Sequence, residues 1–355
     1  ALVPGAPAAS APCQLSFTSN LPWPPSSNAA PPNGSCGSQR PGINGIPAIG
    51  SDGTVFTVSR AHFNGRYGYL LAVNSDLTLR WSASLRGILA DGCGVLLPPN
   101  GAPGGCRDGA KAGVDPATND TPAGRVSDLS SSSPLVLPDG SILYGAFTSY
   151  NYSRGHLFRF SIDGRALATY DFGWDITPAV YPHDGTYSIL VKDNHYESGS
   201  YCGDPQFCPP QAGRYDITSL DPNLSVEWKF TNTNTLSCHR NSDGSLDCVS
   251  DHPDGFEWCV NEPAVDSQGV AFGTSEDGFL YAIGRGGVVL GKIFLDVALG
   301  AAYTPLTISA DGLVYAQNNG HLFVAGSPLR ETPVPAAGKG MPRTVAPRGR
   351  VAVER

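Results

Sequence analysis

The chain has 355 residues, and its 31 acidic against 23 basic residues give a formal net charge of −8, which disfavours a general nucleic-acid-binding protein. Glycine (43 residues) and proline (31 residues) are frequent and only 15% of the residues are charged, a composition that argues against long helices and coiled coils. No apolar run approaches the roughly 18 residues of a membrane-spanning helix, so we expect a turn-rich, all-β protein without a transmembrane segment.

After an N-terminal arm rich in Pro, Ala and Ser (1–46), a repeated unit organises residues 47–327. Each unit begins with Pro, continues with a short apolar strand, and turns at an Asp-Gly or Gln-Gly pair six or seven residues later. Tight turns of this kind reverse antiparallel strands. The five units begin at Pro47, Pro134, Pro178, Pro263 and Pro305.

A third strand follows in every unit and opens on Gly. These strands read GYLLAV (68–73), GHLFRF (155–160), GRYDIT (213–218), GFLYAI (278–283) and GHLFVA (320–325). The first four units add a fourth strand, in LTLRWSA, ALATYDF, LSVEWKF and VVLGKIF. Four antiparallel strands in a unit of roughly 40 to 45 residues are typical of a β-propeller blade. The sequence therefore predicts a β-propeller with five recognisable blades.

The spacing of the units leaves the blade number open. Long gaps follow the first and third units. They either contain degenerate repeats, which would give six or seven blades, or are insertions. We favour insertions at 88–131, 193–212 and 235–260, because 88–131 is a Gly, Pro, Asp and Ser tract with little strand pattern.

The fifth unit lacks its outer strand, and an exposed strand edge needs a partner. The arm contains one spare strand-like segment, QLSFTS at 14–19, so we expect this segment to close the last blade. The alternative is that it is only part of the arm. Residues 328–355 form a Pro-rich tail with basic residues at Lys339, Arg343, Arg348, Arg350 and Arg355.

The third and fourth strands together, as in GYLLAVNSDLTLRW (68–81) and GRYDITSLDPNLSVEW (213–228), resemble the repeat of the PQQ-like, or quinoprotein-like, propellers. The resemblance covers roughly residues 47–327 and implies the propeller fold. That superfamily contains quinone-dependent dehydrogenases and also non-catalytic envelope scaffolds. The dehydrogenases commonly hold the quinone between a Trp and a disulfide of adjacent cysteines, with calcium nearby. This chain has no adjacent cysteines, so Trp81 and Trp228 are expected to pack blades together and no quinone is predicted.

Nine cysteines, most of them in close pairs, indicate local disulfides and an oxidising compartment. No CxxC occurs, which disfavours zinc. Cys259 is left over as a free thiol or a link to a partner. With Met341 as its only methionine, the chain is expected to be secreted, periplasmic or at the cell surface after loss of a signal peptide. The expected disulfide cysteines, with Cys13 bonded to Cys36, are Cys13, Cys36, Cys93, Cys106, Cys202, Cys208, Cys238 and Cys248.

Blade topology places the long connections on one face. In a four-stranded meander, the second-to-third loops and the links between blades lie at the same end. The segments 57–67, 148–154, 193–212, 88–131 and 235–260 all belong to these two classes. We call this end the loop-rich face, and long loops on a rigid scaffold commonly bind ligands. Loops that only cap the channel are the alternative.

Histidines, acids and aromatic residues gather in these loops. The metal-ligand candidates are His195, His239, Asp251, His252 and Asp254. A divalent ion such as calcium is one reading, although the twelve-residue calcium loop is absent and solvated polar residues give the same pattern. The aromatic residues that would form a partner-binding face are Phe63, Tyr67, Tyr150, Tyr152, Tyr196, Tyr201, Phe207, Phe256 and Trp258.

No catalytic residue is assigned, because the sequence contains no GxSxG, P-loop or HExxH motif. The favoured hypothesis is a non-catalytic propeller that binds a protein partner, or another copy of itself, as an assembly subunit. The alternatives are an enzyme, either a quinoprotein-like dehydrogenase or a metal-dependent glycan hydrolase or lyase, and a carbohydrate-binding propeller.

Overall fold

A computed structural model describes residues 3–17, 26, 28–42, 45–89, 113–115, 118–128, 132–150, 153–173, 176–196, 212–301 and 303–326. This part of the chain is built from strands, turns and irregular segments. Within it, no helix has the length and apolar character needed to cross a membrane.

Two short strands of the arm pair with each other and precede the first blade. They are β1 (Pro12–Gln14) and β2 (Asn33–Ser35), held antiparallel and crossed by the Cys13–Cys36 disulfide that the sequence predicts. The first blade follows as β3 (Gln39–Pro41), β4 (Ala48–Ile49), β5 (Val55–Ala61), β6 (Asn64–Val73) and β7 (Leu79–Ser84). Both β3 and β4 pair with β5, so together they fill the innermost position of this blade.

The second and third blades have four strands each, as the repeat predicts. Their strands are β8 (Leu135–Val136), β9 (Ile142–Tyr150), β10 (Ser153–Phe160), β11 (Ala166–Phe172), β12 (Ala179–His183), β13 (Thr186–His195), β14 (Arg214–Leu220) and β15 (Val226–Thr231). One bridge between β10 and β13 joins the two blades at their loop-rich ends.

A hairpin, β16 (Leu236–Arg240) and β17 (Leu246–Ser250), lies between the third and fourth blades. The fourth blade has four strands and the fifth has three. The remaining strands are β18 (Val260–Glu262), β19 (Ala264–Val265), β20 (Ala271–Thr274), β21 (Phe279–Gly284), β22 (Val288–Phe294), β23 (Thr304–Pro305), β24 (Thr307–Ile308), β25 (Val314–Asn318) and β26 (His321–Ala325). The parallel pair of β18 with β23 joins the innermost segments of the fourth and fifth blades.

Hydrogen bonds around the centre link each blade to the next. The Ile46 amide donates to Ser133 Oγ, and the Ser133 amide donates to Thr177 Oγ1, both at 2.9 Å. The Thr177 amide then donates to the Asn261 carbonyl at 3.1 Å, and the Asn261 side chain donates to the Tyr303 carbonyl. These contacts run in order from the first blade to the fifth and fix the order of the blades around the axis.

The cores lie between blades, because alternate residues of each strand face opposite neighbours. One apolar cluster containing Phe56 and Phe158 fills the space between the first and second blades. A second cluster containing Val191 lies between the second and third. A third, around Trp258, joins the third, fourth and fifth. The residues of β13 therefore face the second blade when odd-numbered and the fourth blade when even-numbered.

Trp81 packs one blade against the next, as the sequence predicts. Its indole N–H donates to the Ile162 carbonyl at 2.8 Å, in the turn between β10 and β11. Gly164 in the same turn has a φ of +82°, and an added Cβ there would lie 2.7 Å from the indole. The glycine therefore supplies both the turn conformation and the space for the ring.

The expected closure of the ring by residues 14–19 is wrong for the part that the structure describes. β1 pairs with β2, and Gln14 is held at the first blade, where its Oε1 accepts from the Tyr67 hydroxyl at 3.1 Å and its carbonyl accepts from Asn64 at 2.6 Å. Among the described strands, β26 pairs only with β25. Residues 18 and 19 lie outside the described residues.

Two of the predicted loops are shorter in the structure. β5 and β6 leave only His62 and Phe63 between them, so most of 57–67 is strand. β13 extends to His195, three residues into the expected loop 193–212, because Asp193, Asn194 and His195 continue the antiparallel pairing with β14.

Candidate functional site

The predicted aromatic partner face is mostly interior where the structure describes it. Trp258, Phe256 and Tyr196 are buried, and the Trp258 indole donates to the Tyr215 carbonyl at 3.1 Å. These side chains pack between blades because the links that carry them fold back over the core. Tyr67 is partly buried against the arm, whereas Phe63 is 63% exposed. The side chain of Tyr150 and the residues Tyr152, Tyr201 and Phe207 lie outside the description.

The predicted metal ligands do not converge. His195 lies between the second and third blades, and His239 and Asp247 face each other on the exposed hairpin at 3.8 Å. His252 contacts Asp251 at 2.6 Å, a local pair beside Phe256, while Asp254 is exposed. Residues in separate loops are held by separate blades, which explains why sequence proximity did not produce a common site.

His195 belongs to a buried ionic network on the side of β13 that faces the second blade. Its Nε2 lies 2.7 Å from Asp193 Oδ1, while the Tyr170 and Thr218 hydroxyls each donate to Asp193 Oδ2 at 2.8 Å. The Lys229 ammonium lies 2.5 Å from the same oxygen. The carboxylate of Asp193 is therefore fully engaged by its neighbours.

The network shifts the pKa values of its members in opposite directions. Burial alone would raise the pKa of the Asp193 carboxyl, but His195 and Lys229 hold it below its usual value. Burial disfavours the charged imidazole of His195, yet Asp193 raises the pKa of His195 above its usual value. Both shifts favour the charged form of the group concerned, so the network is a structural ion pair.

A second polar cluster lies at the loop-rich end of the fourth and fifth blades. Glu257, Cys259 and Glu276 place one ligand-type atom each within 4.8 Å of one another. The Tyr303 hydroxyl donates to Glu257 Oε1 at 3.1 Å and to Glu276 Oε1 at 3.4 Å. The ammonium of Lys192 lies 5.6 Å from the centroid of the Tyr303 ring.

Burial sets the chemistry of two members of this cluster, Cys259 and Glu276. Burial, and then the neighbouring carboxylates Glu257 and Glu276, raise the pKa of the Cys259 thiol. Burial and then Glu257 also raise the pKa of Glu276. A thiol in such surroundings is a poor nucleophile. Calcium takes six to eight oxygen ligands, which two carboxylates and one thiol do not supply. This cluster therefore does not fit a calcium site.

Sequence reasoning missed most of these polar residues. The Lys192-Asp193-Asn194 run at the end of an apolar strand was a usable signal, since charged residues are rarely buried without partners. Glu276 and Tyr303 gave no signal, because each is a single residue in a short connection and the fold alone brings them to Cys259.

The hairpin β16–β17 is exposed on the loop-rich face. The Cys238–Cys248 disulfide crosses it, and the Arg240 amide donates to the Asp296 carbonyl at 3.0 Å, which ties the hairpin to the link after β22. Every residue of β17 is exposed, including Val249 at 65%.

Four of the cysteines predicted to form disulfides lie outside the described residues: Cys93, Cys106, Cys202 and Cys208. Cys259 is a free, buried thiol.

Among the described residues, the fifth blade has an outer strand edge without a partner strand, beside an apolar groove. The groove has a volume of about 300 Å³ and lies between the fourth and fifth blades. Phe272 and Ile293 line one wall, and Val314 and Ala325 line the other. All of β22 except its last residue is exposed, whereas β7 and β15 are mostly covered by the blade that follows them. The uncovered region of β22 is where a fourth strand of the fifth blade would lie.

Comparisons with known proteins give structural neighbours only. No protein-family profile and no curated protein matches the chain. Similar solved structures include the Dos1 propeller, with 11% identity over 79% of this chain and 55% of that chain and a TM-score of 0.40. Quinohemoprotein alcohol dehydrogenase from Comamonas testosteroni is 12% identical over 77% of this chain and 51% of that chain, with a TM-score of 0.35.

BamB from Moraxella catarrhalis is a third neighbour, 15% identical over 79% of this chain and 81% of that chain, with a TM-score of 0.27. This chain thus spans about half the length of the Dos1 propeller chain and of the dehydrogenase. The chain is similar to propellers and to a quinoprotein, as the repeat predicts, and these similarities concern the fold alone.

Proposed function

We propose that the chain is an extracytoplasmic, non-catalytic β-propeller that binds a protein partner and serves as an assembly subunit. The observation that carries this proposal is the edge of β26, which no described strand pairs with, beside the apolar groove. A strand edge with unpaired backbone groups is a template for another strand, and the adjoining groove supplies pockets for its side chains.

The occupant we propose is an extended segment of the partner. The segment at 14–19 cannot serve where it is described, because Gln14 is held at the first blade. After β26 the sequence reads GSPLRETPVP at 326–335, and its prolines Pro328, Pro333 and Pro335 have no backbone N–H to donate. Apolar side chains at alternate positions of a partner strand would fill the groove beside Ile293, which is 51% exposed.

Other features support the remaining parts of the proposal. The buried Cys259 thiol, whose pKa is raised, and the structural role of His195 favour a non-catalytic protein. The Cys13–Cys36 and Cys238–Cys248 disulfides favour an oxidising compartment. The exposed hairpin offers a second contact surface on the loop-rich face. Tyr152, Tyr201 and Phe207 remain predicted members of the partner-binding face.

Site-specific photo-crosslinking in the source organism tests the proposal. A crosslinking amino acid replaces Leu322 on β26, which is 64% exposed, and the control position is Leu77, an 81% exposed leucine in a turn of the first blade. Mass spectrometry of the adducts then identifies the joined peptides. We expect position 322 to join a defined peptide of another protein and position 77 to give no such adduct.

Adducts between position 322 and residues 328–355 of the same chain would contradict the proposal, because the edge would then be filled internally. Equal adducts at positions 322 and 77 would contradict it as well, since they would reflect nonspecific proximity.

A further inference from the structure

A cleft between the third and fourth blades, on the face opposite the long loops, has the features of a small binding site. It has a volume of about 210 Å³ and is lined by side chains from β12, β13, β14 and β15 and by the turn between β21 and β22. It is separate from the edge of β26 and from the polar cluster at Cys259.

The cleft exists because one turn is short. Trp228 is the third residue of β15, as Trp81 is the third residue of β7. Trp81 donates its indole N–H to a five-residue turn, 161–165, in the next blade. Trp228 instead faces the three-residue turn 285–287 of the fourth blade, whose Gly287 lies against the indole ring. Within the part of the chain that the structure describes, no acceptor meets the Trp228 indole N–H, so it remains available in the cleft.

The other polar groups of the cleft contact neighbouring side chains, some of which also line it. The Ser219 hydroxyl donates to Glu227 Oε2 at 2.8 Å, which fixes the carboxylate. The Arg285 guanidinium carbon lies 5.8 Å from the centroid of the Tyr181 ring, and its NH2 lies 3.7 Å from Asp184. Tyr181 itself stacks on His183 with the ring centroids 4.9 Å apart. The cleft therefore presents fixed donors, a fixed acceptor and aromatic surface together.

We propose that this cleft binds one neutral sugar ring of a glycan. Sugar hydroxyls donate and accept, which suits Glu227 as acceptor and Trp228 and Arg285 as donors, while the aromatic rings cover the apolar face of the sugar. A carboxylate or phosphate would meet Glu227, and a purely apolar group would leave the donors unpaired. The volume lies below the roughly 300 to 1,000 Å³ of pockets for drug-sized ligands, so one ring is the largest unit that fits.

Indole N–H resonances in a nitrogen-labelled full-length sample test the site directly. The probes are the methyl glycosides of glucose, galactose, mannose and N-acetylglucosamine, added one at a time, with sodium acetate as an anion. The spectrum of Trp228→Phe assigns the Trp228 signal. We expect at least one glycoside to shift that signal in a saturable manner, and acetate to leave it unchanged.

Variants of the lining then separate binding from folding. Glu227→Ala and Arg285→Ala are each expected to weaken the glycoside at least tenfold while the other indole signals stay in place. Trp81→Phe is the matched control and should leave the affinity unchanged, because its indole N–H is already bonded to Ile162. A titration in which no glycoside gives saturation overturns the proposal, as does a shift caused by acetate alone or one that persists in both lining variants.

Discussion

Gly164 lies so close to Trp81 that a Cβ added to the glycine would stand 2.7 Å from the indole ring. We therefore expect Gly164→Ala to lower the free energy of unfolding by about 2 to 4 kcal/mol, from left-handed strain and overpacking together. Gly185 is the control, because its φ is +78° and nothing lies within 4 Å of an added Cβ. Gly185→Ala should cost only the strain, about 1 to 2 kcal/mol. Equal losses for the two variants in urea unfolding would show that the Trp81 contact contributes nothing.

Leu77 and Leu224 occupy equivalent turn positions with φ of +67° and +64°, but Leu77 is 81% exposed and Leu224 only 3% exposed. We expect Leu77→Gly to raise the free energy of unfolding by up to about 1 kcal/mol, because glycine relieves the strain and no burial is lost. Leu224→Gly should destabilise by roughly 1 to 2 kcal/mol, since lost burial outweighs the relief. Thermal unfolding of both variants checks this, and a destabilised Leu77→Gly would contradict the interpretation.

The pKa of His195 is raised by Asp193 above its ordinary value of 6.5, so the folded state holds this proton more tightly than the unfolded chain. The resulting stabilisation is complete below the unfolded pKa and is lost as the pH rises through the folded pKa. We expect the stability difference between wild type and His195→Gln to shrink when the pH is raised above 6.5.

Denaturant unfolding across that pH range measures the His195 difference. His239→Gln is the control, because its side chain is 56% exposed on the hairpin, and its difference from wild type should stay nearly flat. A difference for His195→Gln that is constant or grows with pH would exclude the ion pair with Asp193.

Cys259 should be chemically silent in the folded protein. Burial and the carboxylates of Glu257 and Glu276 raise the pKa of its thiol, so little thiolate forms near neutral pH. We expect no alkylation of Cys259 by iodoacetamide in the native state and complete alkylation after unfolding, followed by mass spectrometry of its peptide. Labelling of the native protein at the rate of a free thiol would show that the cluster opens to solvent. That result would support the alternative that the protein is an enzyme.

Much of the fold could be predicted from the repeat, because turn residues and strand alternation depend on short stretches of the sequence. The strands opening on Gly and the four outer strands fall where the sequence places them, and Trp81 packs a blade as predicted. The pairing partner of QLSFTS at 14–19 could not be predicted. A strand pattern indicates that a segment can pair, but it does not indicate which strand edge the segment pairs with. Gln14 pairs at the first blade through side-chain bonds with Tyr67 and Asn64.

The candidate site was harder to predict for the same reason. Trp258 and Phe256 were expected on a binding surface because they lie in a long link, but the link folds inward and buries them. The Cys259 cluster joins residues from 257 to 303 through the arrangement of two blades. The cleft at Trp228 depends on a turn shortened by two residues relative to 161–165, a difference visible in the sequence only once the turns are aligned in space.

The N-terminal arm is also held against the first blade well before its own disulfide. The Tyr69 hydroxyl donates to the Gly5 carbonyl and the Ser82 hydroxyl to the Pro4 carbonyl, both at 3.0 Å, on the side of the first blade that faces away from the second. The arm is therefore anchored twice, at β6 and at β7, on a side of the first blade that the second blade does not cover.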